Sequence, residues 1–130
     1  MNIGEAARRS GISAKMIRYY EQIGLLPPAD RLASGYRSFS AGDVDELRFI
    51  RGARDLGFSV AEIGDLLDLW RDRGRRSGEV KRIAGTHIER LRHKAAGLLR
   101  MADILQELAD DCAGDDRPDC PIIRKLEMTG

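Results

Sequence analysis

The chain holds two cysteines, Cys112 and Cys120, separated by the seven residues AGDDRPD near its carboxy-terminal end. A thiolate is a soft, charged donor, and the number and spacing of thiolates restrict what they can hold. This spacing is not the C-x-x-C of dithiol redox enzymes. Tetrahedral zinc would need two more thiolates or imidazoles, and the only histidines, His87 and His93, lie several helical turns before Cys112. Two thiolates alone suit a soft monovalent ion such as Cu(I), which tolerates low coordination number. Such a complex carries net charge −1 and is helped by amide donors or a helix end, which the turn at Gly114 and a helix starting at Pro121 could supply. Two ordinary cysteines, one closing a helix stripe and one preceding a proline, would leave the same residue pattern. The spacing by itself leaves both readings open.

A second set of residues with usable chemistry lies near the other end. Lys15, Arg18 and Tyr19 fall at i, i+3 and i+4, so an ammonium, a guanidinium and a phenol share one face of a helix, while Met16, Ile17 and Tyr20 point the other way. A helix with a cationic, aromatic face, placed second after a tight turn, has the form of a recognition helix for the DNA major groove. Arg31, Tyr36 and Arg37 in the following loop would add phosphate contacts beside it. Nothing in the chain has the spacing of a nucleophile–histidine–acid triad, a phosphate-cradling glycine loop or a paired acid and base, so an enzyme is not expected. A thiol enzyme or copper carrier using Cys112 and Cys120 would be the reading from another class, and it would have no use for Lys15 or Arg18.

The elements that must position these groups are legible from periodicity and capping. Ala6, Ala7, Ile12, Met16, Ile17 and Tyr20 keep helical spacing, but Ser10-Gly11 interrupts the run and Ser13 can cap a new helix, which gives helix, tight turn, helix. The second helix runs from about Ser13 to Gln22 and stops before Gly24 and Pro27-Pro28. Tyr36-Arg37-Ser38-Phe39 is extended in character and suits a small wing. Ser40-Ala-Gly-Asp43 and Ser59-Val-Ala-Glu62 each open a helix, with Val44, Leu47, Ile50 and Ala53 inward on one and Ile63, Leu66, Leu67 and Trp70 inward on the other. From Ala84 through His87, Leu91, Ala95, Leu98, Ala102, Leu105 and Ala109 to Cys112, apolar positions recur every three or four residues without a proline, as in a coiled coil. A helix of about 33 residues is about 50 Å long, too long for the short helices before it to cover, so its stripe calls for a second copy of the chain. Pro121 then opens one or two turns of helix.

Composition agrees with long, exposed helices. Charged residues make up 33% of the chain, while the aromatics are one Trp, three Tyr and three Phe. The net charge is only +1, but residues 1–54 carry nine Lys and Arg against six acids, whereas residues 111–130 carry three against five. The longest stretch free of Asp, Glu, Lys and Arg is the eight residues Gln22 to Ala29, far below the roughly 18 that cross a bilayer, so no membrane association is expected. The amino-terminal residues MNIGEAARRSG lack the apolar core of a secretory signal, and a cytoplasmic protein is expected.

The segment MNIGEAARRSGISAKMIRYYEQIGLLPPADR, followed by SGYRSFS and ARDLGFSVAEI, closely resembles the amino-terminal winged helix-turn-helix of MerR-family transcription regulators. The likeness continues through the long helix and the cysteine loop to about residue 126. It implies a mainly α fold with a winged helix-turn-helix DNA-binding domain at 1–70 and a linker at 71–76. A dimerisation helix at 77–111, forming an antiparallel coiled coil, would follow, and then a metal-binding loop with a short helix at 112–130. By the same likeness Lys15, Arg18, Tyr19 or Tyr20, Tyr36, Arg37 and Arg54 would contact DNA, and Cys112 and Cys120 would bind metal. The loop matches the C-x-G-D-D-x-x-D-C-P-I pattern of the family's copper-efflux regulators, the CueR and HmrR types. Divalent-metal sensors of the family carry a third cysteine at the start of the dimerisation helix, where this chain has Ser77, and its loss favours +1 over +2 ions. The resemblance therefore implies a homodimeric Cu(I)-responsive activator of metal-efflux genes, acting on double-stranded palindromic promoter DNA and RNA polymerase by distorting the promoter. Ag(I) and Au(I) are expected to bind as well, and a sensor dedicated to either is the nearest alternative.

Overall fold

The computed structural model describes residues 1–28, 30–31 and 37–128, with Asp30, Arg31 and Arg37 described through their backbone only. Among them the fold is mainly helical. Six helices follow one another, α1 (Ile3–Ser10), α2 (Ala14–Gln22), α3 (Ala41–Asp55), α4 (Val60–Arg71), α5 (Ser77–Asp110) and α6 (Pro121–Glu127), with two very short strands, β1 (Asp30–Arg31) and β2 (Arg37–Ser38), between α2 and α3. The strands pair antiparallel, Asp30 opposite Ser38 and Arg31 opposite Arg37, and form the expected wing. The chain divides into two compact units, residues 1–83 and 84–130.

Within the first unit, local chemistry sets where each helix starts and stops. Asn2 accepts a hydrogen bond from the Glu5 N–H to open α1, and Gly11 closes it in the left-handed conformation at φ 76°. That bend is what makes the turn into α2 tight. Ser13 then caps α2 by accepting from Met16 N–H at 3.2 Å. Helices α3 and α4 both open with complete capping boxes. Ser40 accepts from the Asp43 N–H while the Asp43 carboxylate accepts from the Ser40 N–H, and Ser59 and Glu62 repeat the arrangement.

The core of this unit joins Ala6, Ile12, Ile17, Tyr20, Leu25, Leu26, Phe39, Val44, Leu47, Ile50, Ala53, Ile63 and Leu67 in one cluster. The inward positions expected on α2, α3 and α4 are therefore largely those observed. Trp70 is the exception, since it remains partly exposed and stacks flat on Phe49 with ring centroids 4.8 Å apart. Arg71 ends α4 by donating from Nε to the Glu46 carboxylate of α3 at 2.7 Å and from Nη2 to the Leu25 carbonyl at 3.5 Å. The Glu46 carboxylate raises the affinity of Arg71 for its proton. The wing is held at its far end by Phe39, whose N–H donates to the Met1 carbonyl at 2.7 Å.

Helix α5 is uninterrupted from Ser77 to Asp110, and its part from Ala84 onward belongs to the second unit. Of its expected stripe His87 is buried and Ala84 half-buried, whereas Leu91, Ala95, Leu98, Ala102, Leu105 and Ala109 are exposed in the single chain. Ile122 and Leu126 of α6 line one apolar groove with Met101, Ile104, Leu105 and Leu108 of α5. No described helix is long and apolar enough to cross a membrane.

Cap and core make separable contributions to the first unit. Ser40→Ala is expected to cost about 1 kcal/mol by leaving the α3 terminus uncapped. Leu47→Ala, at a fully buried site, is expected to cost about 2–5 kcal/mol through lost burial and a cavity. Urea unfolding followed by circular dichroism measures both, and equal losses would contradict this picture of the core.

Candidate nucleic-acid interface and metal centre

Burial sorts the second helix into two faces. Ile17 and Tyr20 lie in the core, Met16 is half-buried, and Lys15, Arg18 and Tyr19 are exposed on the opposite side. The nearby charges differ in how they are neutralised. Glu5 pairs with both Arg8 and Arg9, Asp45 lies 3.9 Å from Arg48, and Asp55 lies 3.9 Å from Arg51. Arg48 also donates to the Arg9 carbonyl at the end of α1, where a cation meets the negative end of the helix dipole. Lys15, Arg18 and Arg54, by contrast, pair with no acid among the described residues. The cations left without an acid among the described residues thus include Lys15, Arg18 and Arg54, three of those that the sequence marks for DNA.

Tyr19 and Tyr20 part company. Tyr19 is 43% exposed and can reach a ligand, whereas Tyr20 is 1% exposed and cannot. The expectation that Tyr20 contacts DNA is therefore corrected. Its ring turns inward because it shares the stripe of Ile17, and the Arg54 guanidinium sits over it at 6.0 Å from the ring centroid. Tyr20 supports Arg54 from below. Sequence spacing already placed Tyr20 on the inward face, but the long-range approach of Arg54 had no local signal. Of the wing candidates, Arg31 and Arg37 occupy facing positions on β1 and β2, and Tyr36 lies outside the described residues.

The cysteine loop lies within the second unit. Cys112 follows the end of α5, its N–H donating to the Ala109 carbonyl, and Cys120 immediately precedes Pro121, the first residue of α6. Gly114, at φ 65°, supplies the left-handed bend that turns the chain back. The result is that residues eight apart in sequence bring their sulfurs to 3.5 Å, with the Cys112 thiol donating to the Cys120 sulfur. Both cysteines are free and partly exposed. The Ile123 backbone N–H, the Cys112 thiol and the Ile122 N–H hold the Cys120 thiol below its ordinary range, against the opposing effects of desolvation and of the Asp119 charge. Around the pair, Arg117 donates from Nε and Nη2 to the Asp115 carboxylate at 2.9 and 2.8 Å, which lowers the Asp115 pKa, and Arg124 lies 3.3 Å from Asp119. The loop's carboxylates are thus engaged in part by arginines.

Among the described residues no three His, Cys, Asp or Glu side chains come close enough to hold one ion. The donor set within one chain is therefore two sulfurs, which suits a soft ion of low coordination number. Ser77, expected at the start of the long helix, is its first residue.

Residues 1–70 match the model of the MerR helix-turn-helix family of regulatory proteins, and residues 44–108 match that of the MerR DNA-binding region. The chain belongs to the MerR family. As a MerR-family protein it is a DNA-binding transcription regulator and not an enzyme. It is 58% identical over 126 residues, 97% of this chain and 86% of the relative, to heavy metal-dependent transcription regulator 2 of Rhizobium meliloti strain 1021. It is equally identical over 130 residues, 100% of this chain and 88% of the relative, to the transcriptional regulator HmrR of Sinorhizobium medicae strain WSM419. Among solved structures it resembles the regulator PbrR691 of Ralstonia metallidurans CH34, crystallised with lead(II), with a TM-score of 0.85 at 29% identity, covering 97% of this chain and 98% of that one.

The two adjacent tyrosines of this MerR-family headpiece are expected to behave unalike. Tyr20→Ala should destabilise the unit by about 3–5 kcal/mol, as for a buried aromatic. Tyr19→Ala should stay within about 0.5 kcal/mol, as for a surface side chain. Thermal unfolding of the two variants checks this, and a Tyr20→Ala protein as stable as the parent would refute the buried placement.

Proposed function

We propose that this MerR-family regulator is a Cu(I)-responsive activator of metal-efflux and detoxification genes in the cytoplasm. The observation that carries this reading is the pair of thiols, Cys112 and Cys120, with sulfurs 3.5 Å apart and partly exposed, and with no third donor close by among the described residues. A monovalent soft ion needs two thiolates and no more, whereas a divalent ion on the same pair would want a third donor. Ser77, in the place where divalent-metal sensors of the family carry a cysteine, argues in the same direction. Ag(I) and Au(I) satisfy the same donor set and should bind too. The heavy metal-dependent name of the 58% identical relative and the lead(II) held by PbrR691 support metal response in general.

In this reading Lys15, Arg18 and Tyr19 on α2, Arg54 at the end of α3, and Arg31, Tyr36 and Arg37 of the wing meet the two halves of a palindromic promoter. Residues 1–70 form the DNA-binding domain, 71–76 the linker, 77–111 the dimerisation helix and 112–130 the metal-binding segment. The exposed apolar stripe of α5 supports pairing with a second copy as an antiparallel coiled coil, because leaving Leu91, Leu98 and Leu105 in water forfeits their burial. Metal would stabilise one arrangement of the dimer by as much as it prefers that arrangement, and the altered promoter would then suit RNA polymerase.

Arg18→Ala is expected to weaken operator binding by about 1–3 kcal/mol, while metal uptake stays intact. Gel shift at fixed salt measures it, and unchanged affinity would place recognition elsewhere. Under a competing chelator the unmutated protein should take up Cu(I), Ag(I) and Au(I) far more tightly than Zn(II), and Cys112→Ser or Cys120→Ser should abolish copper induction while sparing DNA binding, since a hydroxyl is a poor ligand for a soft ion. Tighter binding of Zn(II), with induction by it, would end the monovalent reading.

A further inference from the structure

The two thiols meet a second chemical requirement. Disulfide formation needs two sulfurs able to reach about 2.05 Å, and here they start 3.5 Å apart in the same chain, a closing movement of about 1.5 Å. Neither cysteine is buried, and the intervening residues from Ala113 to Asp119 are all exposed, so no packed side chain resists that movement. The left-handed bend at Gly114 turns the chain back so that the two ends of the loop meet. The chain carries no other cysteine.

We propose that Cys112 and Cys120 are a reversible dithiol–disulfide site oxidised by hydroperoxides, and that the regulator is blind to its metal while the disulfide is present. In the first step the thiolate of one cysteine attacks the peroxide. An S–O bond forms, the O–O bond breaks, and the leaving hydroxide takes up a proton to become water. In the second step the other cysteine attacks the sulfenic acid so produced. The S–S bond forms, the S–O bond breaks, and the second oxygen leaves as water. Two thiols lose two electrons and two protons in all, and the peroxide gains both. A disulfide sulfur carries no thiolate charge to donate to a soft cation, so oxidation and metal binding exclude each other. A bound ion in turn withholds both sulfurs from the peroxide. The loss of metal uptake rests on the metal reading given above; the disulfide itself does not.

The test uses the reduced full-length protein, free of metal, exposed to hydrogen peroxide that is then removed with catalase. Intact mass under denaturing conditions should fall by two hydrogen atoms. Both cysteines should lose reactivity towards iodoacetamide, the product should run as a single chain on a non-reducing gel, and dithiothreitol should restore both thiols. Cys120→Ser should give none of these changes. Prior loading with Ag(I), which does not cycle with peroxide, should protect both thiols, and the oxidised chain should take up no Ag(I) until it is reduced. Mass gain from oxygen on either cysteine without an internal disulfide, or a disulfide between two chains, would overturn the proposal. Undiminished Ag(I) uptake by the oxidised chain would overturn the exclusion. A reduced chain that binds no monovalent ion yet forms the internal disulfide would remove the metal reading and leave the disulfide site standing.

Discussion

The rotation of α2 about its own axis is the constraint on which the exposed cationic surface of the first unit depends. Ile17 and Tyr20 are buried in the same cluster as Leu47 and Ile50 of α3, and a helix that turns those two inward must turn Lys15, Arg18 and Tyr19 outward. Burial of large apolar side chains is worth about 1.5–3 kcal/mol each, whereas an exposed cation gains little from its place on a surface. The core therefore decides and the charges follow. The same packing places the Tyr20 ring beneath Arg54, so that a residue on α2 and a residue at the end of α3 serve one exposed cationic surface.

Charge in this headpiece is distributed by pairing more than by number. The chain as a whole is almost neutral, and a count of residues would not mark it as a partner of a polyanion. Yet Glu5, Asp45 and Asp55 lie beside Arg8, Arg9, Arg48 and Arg51, each of these arginines one helical turn from its acid on the same helix face. Those pairs are exposed and contribute little to stability. Their effect is on the field. They offset the cations of α1 and of the middle of α3 and leave Lys15, Arg18 and Arg54 without an acid beside them among the described residues.

The second unit is organised by a different economy. A long helix with its apolar stripe in water is incomplete as a single chain, and so is the apolar groove that α6 shares with α5. The two sulfurs of the cysteine loop, by contrast, come from one chain. They are brought together by local means, a helix end, a left-handed glycine and a proline that starts the next helix. A pair of free thiols at this separation is poised for any reaction that wants two sulfurs at once, whether with a soft ion or with an oxidant.

Much of this was determined by the sequence alone, because the deciding interactions are local. Ser13, Ser40 and Ser59 cap the helices that follow them, Gly11 and Gly24 end the ones before, and helical periodicity marks Val44, Leu47, Ile50 and Ala53 as one buried face; each of these needs only neighbours within four or five residues. The cysteine pair and its turn are local in the same sense. What only tertiary structure decided involves residues far apart. Tyr19 and Tyr20 are adjacent and chemically identical; helical spacing already put Tyr20 on the inward face, and packing in the core fixed how completely it is buried. Arg54 over Tyr20, Arg71 on Glu46 and the Leu25 carbonyl, and Trp70 stacked on Phe49 join elements whose approach no spacing rule encodes. Local propensity chooses the helices; which face of each is covered, and which charge stays free, is settled by the pairwise contacts that form when the helices pack.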